Sequence, residues 1–243
     1  MKISAISDVH VKKPDDDAYR LLCDFLTNPI VMSSDYVLLL GDIFDLMCGP
    51  HKEYIEEFHH IFDLMDHLNK QGKKVIFFEG NHDVHLEKLF SMRWPSGELR
   101  VSQIPIIETI DGKTYYFSHG DEHEVENASY QRYKNLILSS PLRMVANYLM
   151  PYALLNYLGN KASKMSRKRG SKTYNEDDVK EKFRRGVSET TRGKFNFILG
   201  GHSHVKDKHS LNSDSIYLNN GYALKSKSFI HIENHEISFP ELV

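Results

Sequence analysis

Residues 74–83 read KVIFFEGNHD. Lys74–Glu79 has the apolar, aromatic and β-branched character of a strand, and a glycine then stops it. Directly behind the glycine come Asn81, His82 and Asp83, three side chains able to bind a cation or a phosphate. The same grammar recurs outward in both directions. Lys2–Ser7 (KISAIS) precedes Asp8-Val9-His10, and Tyr36–Leu40 (YVLLL) precedes Gly41-Asp42. Thr114–Ser118 (TYYFS) precedes His119-Gly120-Asp121, and Phe195–Leu199 (FNFIL) precedes Gly200-Gly201-His202-Ser203-His204. A strand end lets a rigid scaffold hold a ligand without burying an unpaired charge. Any single segment could be an ordinary turn, since Gly, Asn, Asp and Ser dominate turns. Five such ends converging on one rim can hold two cations side by side.

Between the first three strands the period becomes helical. Asp15–Thr27 places Ala18, Leu21, Leu22, Phe25 and Leu26 on one face, with Pro14 just ahead. Tyr54–Leu68 predicts one strong amphipathic helix, closed by Gln71-Gly72. The β-α-β-α-β order implies a layered α/β fold with parallel central strands. Right-handed crossovers then align the carboxyl ends of the strands, where ligands bind in such folds. Beyond residue 100, Ser215–Asn219, Ser228–Ile232 and His235–Phe239 are short, alternating and hairpin-like, which predicts a second sheet packed on the first. The chain reads as a single domain over 1–243. About eighty residues of helical character separate His119 from His202, too many for a loop, so a helical lid insertion is expected at about 125–192.

The 243 residues are 40% hydrophobic and 26% charged, ordinary for a globular protein. Two cysteines, Cys23 and Cys48, and no CxxC imply no disulfide framework. The sequence enters its first strand without a signal-type segment, and 144–160, the most apolar stretch, is interrupted by Asn and Pro151, so a cytoplasmic chain is expected. The net charge of -2 conceals an asymmetry: residues 125–199 carry 15 Lys and Arg against 6 Asp and Glu, and the remainder 16 against 27. A basic block on an acidic body meets something anionic or forms a solvated helical face.

The donors Asp8, His10, Asp42, Asn81, His119, His202 and His204 combine carboxylate, imidazole and amide without thiolate. That set suits Mn²⁺, Fe²⁺ or Zn²⁺. Seven ligands exceed one tetrahedral site but fit two sites of four if one carboxylate, Asp42, bridges. Two such metals clamp both oxygens of an in-line phosphoryl displacement.

In order and spacing the five segments resemble the metallophosphoesterase (calcineurin-like) superfamily pattern, D-x-H, GD, GNH-D/E, H and GH-x-H. The resemblance implies a four-layer α-β-β-α sandwich. It implies one metal on Asp8, His10, Asp42 and His204 and another on Asp42, Asn81, His119 and His202, with Mn²⁺ foremost. His82 would act over the phosphate as general acid or transition-state stabiliser, oriented by Asp83. Asp45 and Asp121 are expected to hold the ligand loops, and His51, His85, His123 and His209 to lie at the surface or behind the ligands.

The insertion bears on substrate. Leu142–Leu158 is apolar and aromatic, broken by Pro151 into two short helices, and a basic run with Lys161, Lys164, Arg167, Lys168, Arg169 and Lys172 follows. Such an element either seeks an anionic lipid surface or caps the domain with a solvated basic face. Within the superfamily the chain is most similar to the UDP-2,3-diacylglucosamine diphosphatases of lipid A biosynthesis, which carry a helical lid at this place. That resemblance implies hydrolysis of the pyrophosphate to UMP and a diacylglucosamine 1-phosphate at the inner membrane face. It also implies substrate contacts from Asn81, Asn127, Tyr130, Lys164, Arg167 and Lys168. Those enzymes carry Arg where this chain has His82, and an aromatic and acidic stretch where it has Leu46-Met47-Cys48-Gly49-Pro50. The alternative is the same machinery acting on a soluble phosphodiester or phosphomonoester, such as a nucleotide, cyclic nucleotide or phosphoprotein. No nucleic-acid motif is present, so no nucleic-acid partner is expected. A catalytically silent scaffold would be expected to have lost ligands, and none is missing.

Overall fold

A computed structural model describes residues 1–155, 157 and 175–243. The strands are β1 (Lys2–Ile6), β2 (Tyr36–Leu39), β3 (Met47–Cys48), β4 (Lys74–Phe78), β5 (Asp83–Val84), β6 (Arg100–Ser102), β7 (Ile106–Ile110), β8 (Lys113–Phe117), β9 (Phe197–Gly200), β10 (Lys206–Ser210), β11 (Ile216–Asn220), β12 (Ile230–Glu233) and β13 (Glu236–Ser238). The apolar runs form strands where expected, and five further short strands, β3, β5, β6, β7 and β10, join them. One sheet has the order β13-β12-β1-β2-β4-β6, with β1, β2, β4 and β6 mutually parallel. The other has the order β10-β11-β9-β8-β7, with β8, β9 and β11 parallel at its centre.

The two sheets face each other across one core layer. Ile3, Leu38, Ile76 and Phe78 from the first meet Phe117, Leu199 and Leu218 from the second. The first sheet's other face is covered by the helices Asp17–Thr27 and His59–Lys70, through Leu22, Phe25, Ile61, Phe62 and Met65. Burying each such side chain contributes about 1.5–3 kcal/mol. The second sheet's outer face is covered by the helix Glu176–Thr191, whose Val187 packs on Ile198 and Tyr217. The result is the expected α-β-β-α sandwich. It also gives the end of the 125–192 stretch a structural task, because that helix is the fourth layer.

Several local expectations differ from the structure. The single helix expected over Tyr54–Leu68 is two, Lys52–Glu57 and His59–Lys70, parted at Phe58. Phe58 leaves helical geometry (φ -105°, ψ 24°), and its ring lies 4.9 Å from that of Phe44. The break lets both Tyr54 and the Ile61/Phe62 face be buried. The three late strands are not one hairpin set: β11 joins the second sheet beside β9, while β12 and β13 form a hairpin on the first. Edge strand β10 (KDKHS) is too polar to carry a strand signal, yet pairs along its whole length with β11.

Within the insertion, the helices Ala128–Ile137 and Ser140–Tyr148 are followed by a break at Leu149–Pro151 and renewed helix from 152, as Pro151 predicts. Among the described residues no helix is long and apolar enough to cross a membrane.

Candidate metal centre

The carboxyl ends of β1, β2, β4, β8 and β9 open on one rim, and every ligand segment leaves its strand there. The backbone at the rim is unusual. Asp8, His10, Asp42, His202 and His204 all have positive φ, between 52° and 65°. The left-handed region is sparsely used by residues other than glycine, although Asp and His tolerate it better than most. Strained conformations of this kind cluster at functional sites. Close packing adds its own demand: a Cβ at Gly80 would stand 2.2 Å from Asp42 Oδ1 and 2.5 Å from Asp42 N. The glycine of the GNHD segment is therefore what lets the second and third segments touch.

Three overlapping groups of donors result among the described residues; one, His10, Asp45 and His82, flanks the two that follow. Asp8, His10, Asp42 and His204 offer ligand atoms within 4.8 Å of one another, and so do Asp42, His119 and His202. Asp42 belongs to both, as a bridging carboxylate must. In the first cluster, His10 Nε2 lies 3.2 Å from His204 Nε2, and His204 Nε2 lies 3.3 Å from Asp8 Oδ1. His10 Nε2 is 3.9 Å from Asp42 Oδ2. In the second, His119 Nε2 is 3.7 Å from Asp42 Oδ1 and 3.4 Å from Asn81 Oδ1. Donors about 2.1 Å from one cation stand roughly 3.4 Å apart in a tetrahedral shell, so these spacings fit divalent metals. The distal nitrogens are also arranged for ligation. His119 Nδ1 meets the Leu40 carbonyl at 2.9 Å, which fixes the tautomer and leaves Nε2 for the centre.

Charge leads to the same reading. Burial works against the Asp42 carboxylate, but the surrounding His119, His82 and His10 hold it well below the usual range. Burial likewise pushes the His119 imidazole down, yet Asp42, Asp121 and Asp8 outweigh it and raise it to about 9. Burial dominates at His10, whose imidazole falls to about 4. A proton on His119 thus balances buried carboxylate charge, and a cation would displace it; at His204 burial is likewise outweighed by Asp8 and Asp42, which push that imidazole up.

The other residues singled out by sequence divide. His82 lies beside the first cluster, its ring 4.8 Å from that of His10, with Nδ1 2.8 Å from the Asp45 carbonyl. Asp83 does not orient His82. Its buried carboxylate accepts from the backbone N–H groups of Asp42 (3.0 Å), Ile43 (2.7 Å) and Gly80 (2.7 Å), so it clamps the Asp42 loop instead. A carboxylate in a fully buried turn finds unsatisfied amides nearer than a neighbouring ring, and takes them. Tyr130 reaches the centre: its hydroxyl donates to Asp121 Oδ2 at 3.1 Å and to Asn81 Oδ1 at 3.4 Å. Asn127 caps the helix behind it, accepting from Tyr130 N. Asp121 holds Tyr130 and Lys134, a loop-fixing role as expected. His85 and His123 are buried, whereas His51 and His209 are part-exposed. Lys164, Arg167 and Lys168 lie outside the described residues.

One functional contact carried no sequence signal. Glu124 Oε2 lies 2.9 Å from His202 Nε2. Its acid group falls to about 2, because bonds from His202, Lys182 and Asn127 outweigh burial.

Comparison with known proteins agrees with this geometry. The calcineurin-like phosphoesterase family model matches residues 1–206. The chain is similar to UDP-2,3-diacylglucosamine hydrolase of Shewanella piezotolerans, 24% identical over 100% of this chain and 98% of that one. It is similar to the same-named protein of Aliivibrio fischeri, 24% identical over 88% of this chain and 86% of that one. In fold it resembles an archaeal phosphodiesterase, at a TM-score of 0.52 and 12% identity over the whole of both chains. The sandwich, the rim of strand-end donors and the match over most of the sequence together make this chain a member of the calcineurin-like phosphoesterase family, a hydrolase of phosphoesters or diphosphates.

Proposed function

We propose that the protein hydrolyses the pyrophosphate bond of UDP-2,3-diacylglucosamine or a similar lipid-linked nucleotide, releasing UMP and a lipid phosphate. The observation that carries this reading is an apolar cavity of about 320 Å³ opening beside Asn81 and His82. Its far wall comes from the insertion, with Leu142, Val145, Met150 and Leu155, and its near wall includes Cys48 and Val84. Such a wall suits acyl chains and offers a soluble nucleotide little. The names of the relatives support the same substrate class.

In this reading Asp8, His10, Asp42 and His204 hold one divalent cation and Asp42, Asn81, His119 and His202 the other, with Mn²⁺ foremost and Fe²⁺ or Zn²⁺ as substitutes. The cations supply the positive charge that activates water and stabilises an in-line displacement at phosphorus. Oxygen from water joins the α-phosphorus, and the bond from that phosphorus to the bridging oxygen breaks. The Asp45 carbonyl accepts the Nδ1 proton of His82, so only a ring that carries a second proton, on Nε2, can give one to the departing lipid phosphate, and His82 serves there as general acid or transition-state stabiliser. Asp83 keeps the Asp42 loop in register, and Tyr130 fixes the Asn81 amide.

Exposed side chains on the insertion support peripheral contact with a membrane: Tyr148, Leu149 and Tyr157 are 70%, 68% and 64% exposed. The basic positions Lys164, Arg167 and Lys168 follow in the sequence, outside the described residues.

The test is hydrolysis of UDP-2,3-diacylglucosamine with Mn²⁺, with and without detergent, following UMP. Rapid, detergent-dependent release is the expected result. Absent UMP beside brisk cleavage of an aryl phosphodiester would retain the dinuclear site and remove the lipid substrate, leaving the soluble phosphodiester reading.

A further inference from the structure

Glu124 belongs to none of the five ligand segments. It follows the one-turn helix Asp121–His123 behind the fourth segment. Its carboxylate is divided between two parts of the molecule. One oxygen, Oε2, faces His202 Nε2 at 2.9 Å. The other, Oε1, accepts from Lys182 Nζ at 2.7 Å and from Asn127 Nδ2 at 2.9 Å. The Glu124 carbonyl also accepts from Gln131 Nε2 at 3.2 Å. With a side chain only 14% exposed, this is a nearly enclosed carboxylate whose acceptors are all engaged.

Lys182 lies on the helix Glu176–Thr191, which is pinned against the same turn. A Cβ at Gly186 would stand 1.8 Å from the His123 carbonyl oxygen, so only glycine lets the helix come this close. Arg185 on that helix forms a two-pronged pair with Glu126, at 2.9 and 3.3 Å. The turn carrying Glu124 is therefore held from both sides, and its carboxylate has little freedom to leave His202.

We infer that Glu124 is a positioning residue for the second cation. By accepting the His202 Nε2 proton it fixes the tautomer whose Nδ1 lone pair would be left for a cation, and through Lys182 it ties that side chain to the insertion helix. A carboxylate on the distal nitrogen of a ligating imidazole orients the ring and raises its basicity, and losing such a partner costs about 10–100-fold in metal affinity. The Lys182 ammonium keeps the carboxylate from swinging onto the cation as a ligand in its own right. The competing account is a plain Lys182–Glu124 staple for the helix, in which the imidazole is a bystander. This inference rests on the two-cation reading of the centre.

The experiment uses the full chain stripped of metal and titrated with Zn²⁺, and separately with Mn²⁺, by calorimetry with a competing chelator. Two binding steps in the wild type establish the two-cation reading by themselves; fewer than two would end it whatever the variants do. Given two steps, Glu124→Ala is expected to weaken one by about 10–100-fold and leave the other in place. Glu124→Gln, which keeps an acceptor oxygen, should recover part of that loss. Lys182→Met should weaken the same step less than Glu124→Ala. Nitrogen NMR of the metal-free wild type should show His202 protonated at Nε2, and Glu124→Gln should reduce that signature. If both steps in Glu124→Gln and Glu124→Ala match the wild type, even with a lowered melting temperature, Glu124 is only a staple. An Nδ1-protonated His202 in the wild type would overturn the inference equally. Should Glu124→Ala fail to fold, Glu124→Gln carries the test alone.

Discussion

The ligand rim and the helical insertion are built on opposite principles. At the rim Asp8, Asp42 and His119 are almost wholly enclosed, and their backbone and side-chain groups are fixed by Asp83, Leu40 and Asn220-supported Ser7. In the insertion the helix Ala128–Ile137 buries no residue completely, and the helix Ser140–Tyr148 buries only Ala146. Its large apolar side chains point into a cavity or out to solvent. The rim spends conformational strain to define one geometry for phosphoryl chemistry. The insertion leaves apolar surface available, which is what the proposed lipid substrate would need. Changes confined to the cavity wall of Leu142, Val145, Met150 and Leu155 should therefore leave the rim standing, whereas Tyr130 and Lys182 tie other parts of the insertion to it.

That separation can be broken most severely at the bridge. Asp42→Ala should abolish hydrolysis of every substrate and remove both cations, read as metal content after dialysis; full retained stoichiometry would refute the shared carboxylate. Next comes His82→Ala. It should keep two cations yet lower kcat by about 10²–10⁴-fold on lipid and aryl substrates alike. Near-normal turnover would take His82 out of the reaction. On the insertion side, Val145→Asp should raise KM for the lipid substrate by about 10–200-fold, because it places a charge in an apolar wall. Cleavage of a small aryl phosphodiester should not change, and a parallel fall in both would show that the two regions are coupled.

The smallest effect concerns the metal-free protein and sharpens the account of the rim. His119 is raised to about 9 in the fold, against about 6.5 in an unfolded chain. Its contribution to stability is complete below pH 6.5 and disappears as pH rises through 9. The metal-free melting temperature should accordingly fall by a few degrees across that window, and the Mn²⁺-loaded protein should show no such fall. Identical profiles would mean that the buried charges are balanced in another way.

Most of the rim was legible in sequence because each segment is local: an apolar run, a glycine, then a donor. The parallel sheet was legible for the same reason, since Tyr36–Leu40 and Lys74–Glu79 are unmistakable strands. What escaped depends on which distant segments meet. Adjacency in sequence makes Asp83 the expected partner of His82, yet the fold brings the Asp42 loop amides closer. Glu124 sits among acids and polar residues with no motif around it, and only the return of Lys182 and His202 from later in the chain gives it a role. The high polarity of the helix Glu176–Thr191 suits a lid, but four buried positions, Phe183, Gly186, Val187 and Thr191, suffice to seat it as a structural layer. The break at Phe58 was hidden because the apolar period runs on through it.

The pairing of β1 with β12 has a consequence for how the protein is made. Asp8 follows β1 and accepts a backbone bond from Ala223 N at 3.1 Å, while His204 accepts one from Tyr222 N at 3.1 Å. Donors far apart in the sequence, Asp8 and His204, close the first cluster. A ribosome adding about 5–20 residues per second exposes Asp8, His10 and Asp42 many seconds before the histidines and strand that complete them. Throughout that interval the nascent chain carries an open, partial ligand set able to pick up whichever divalent ion is most abundant. A cation would therefore be held in full only once His204 and β12 have emerged and the cluster can shut.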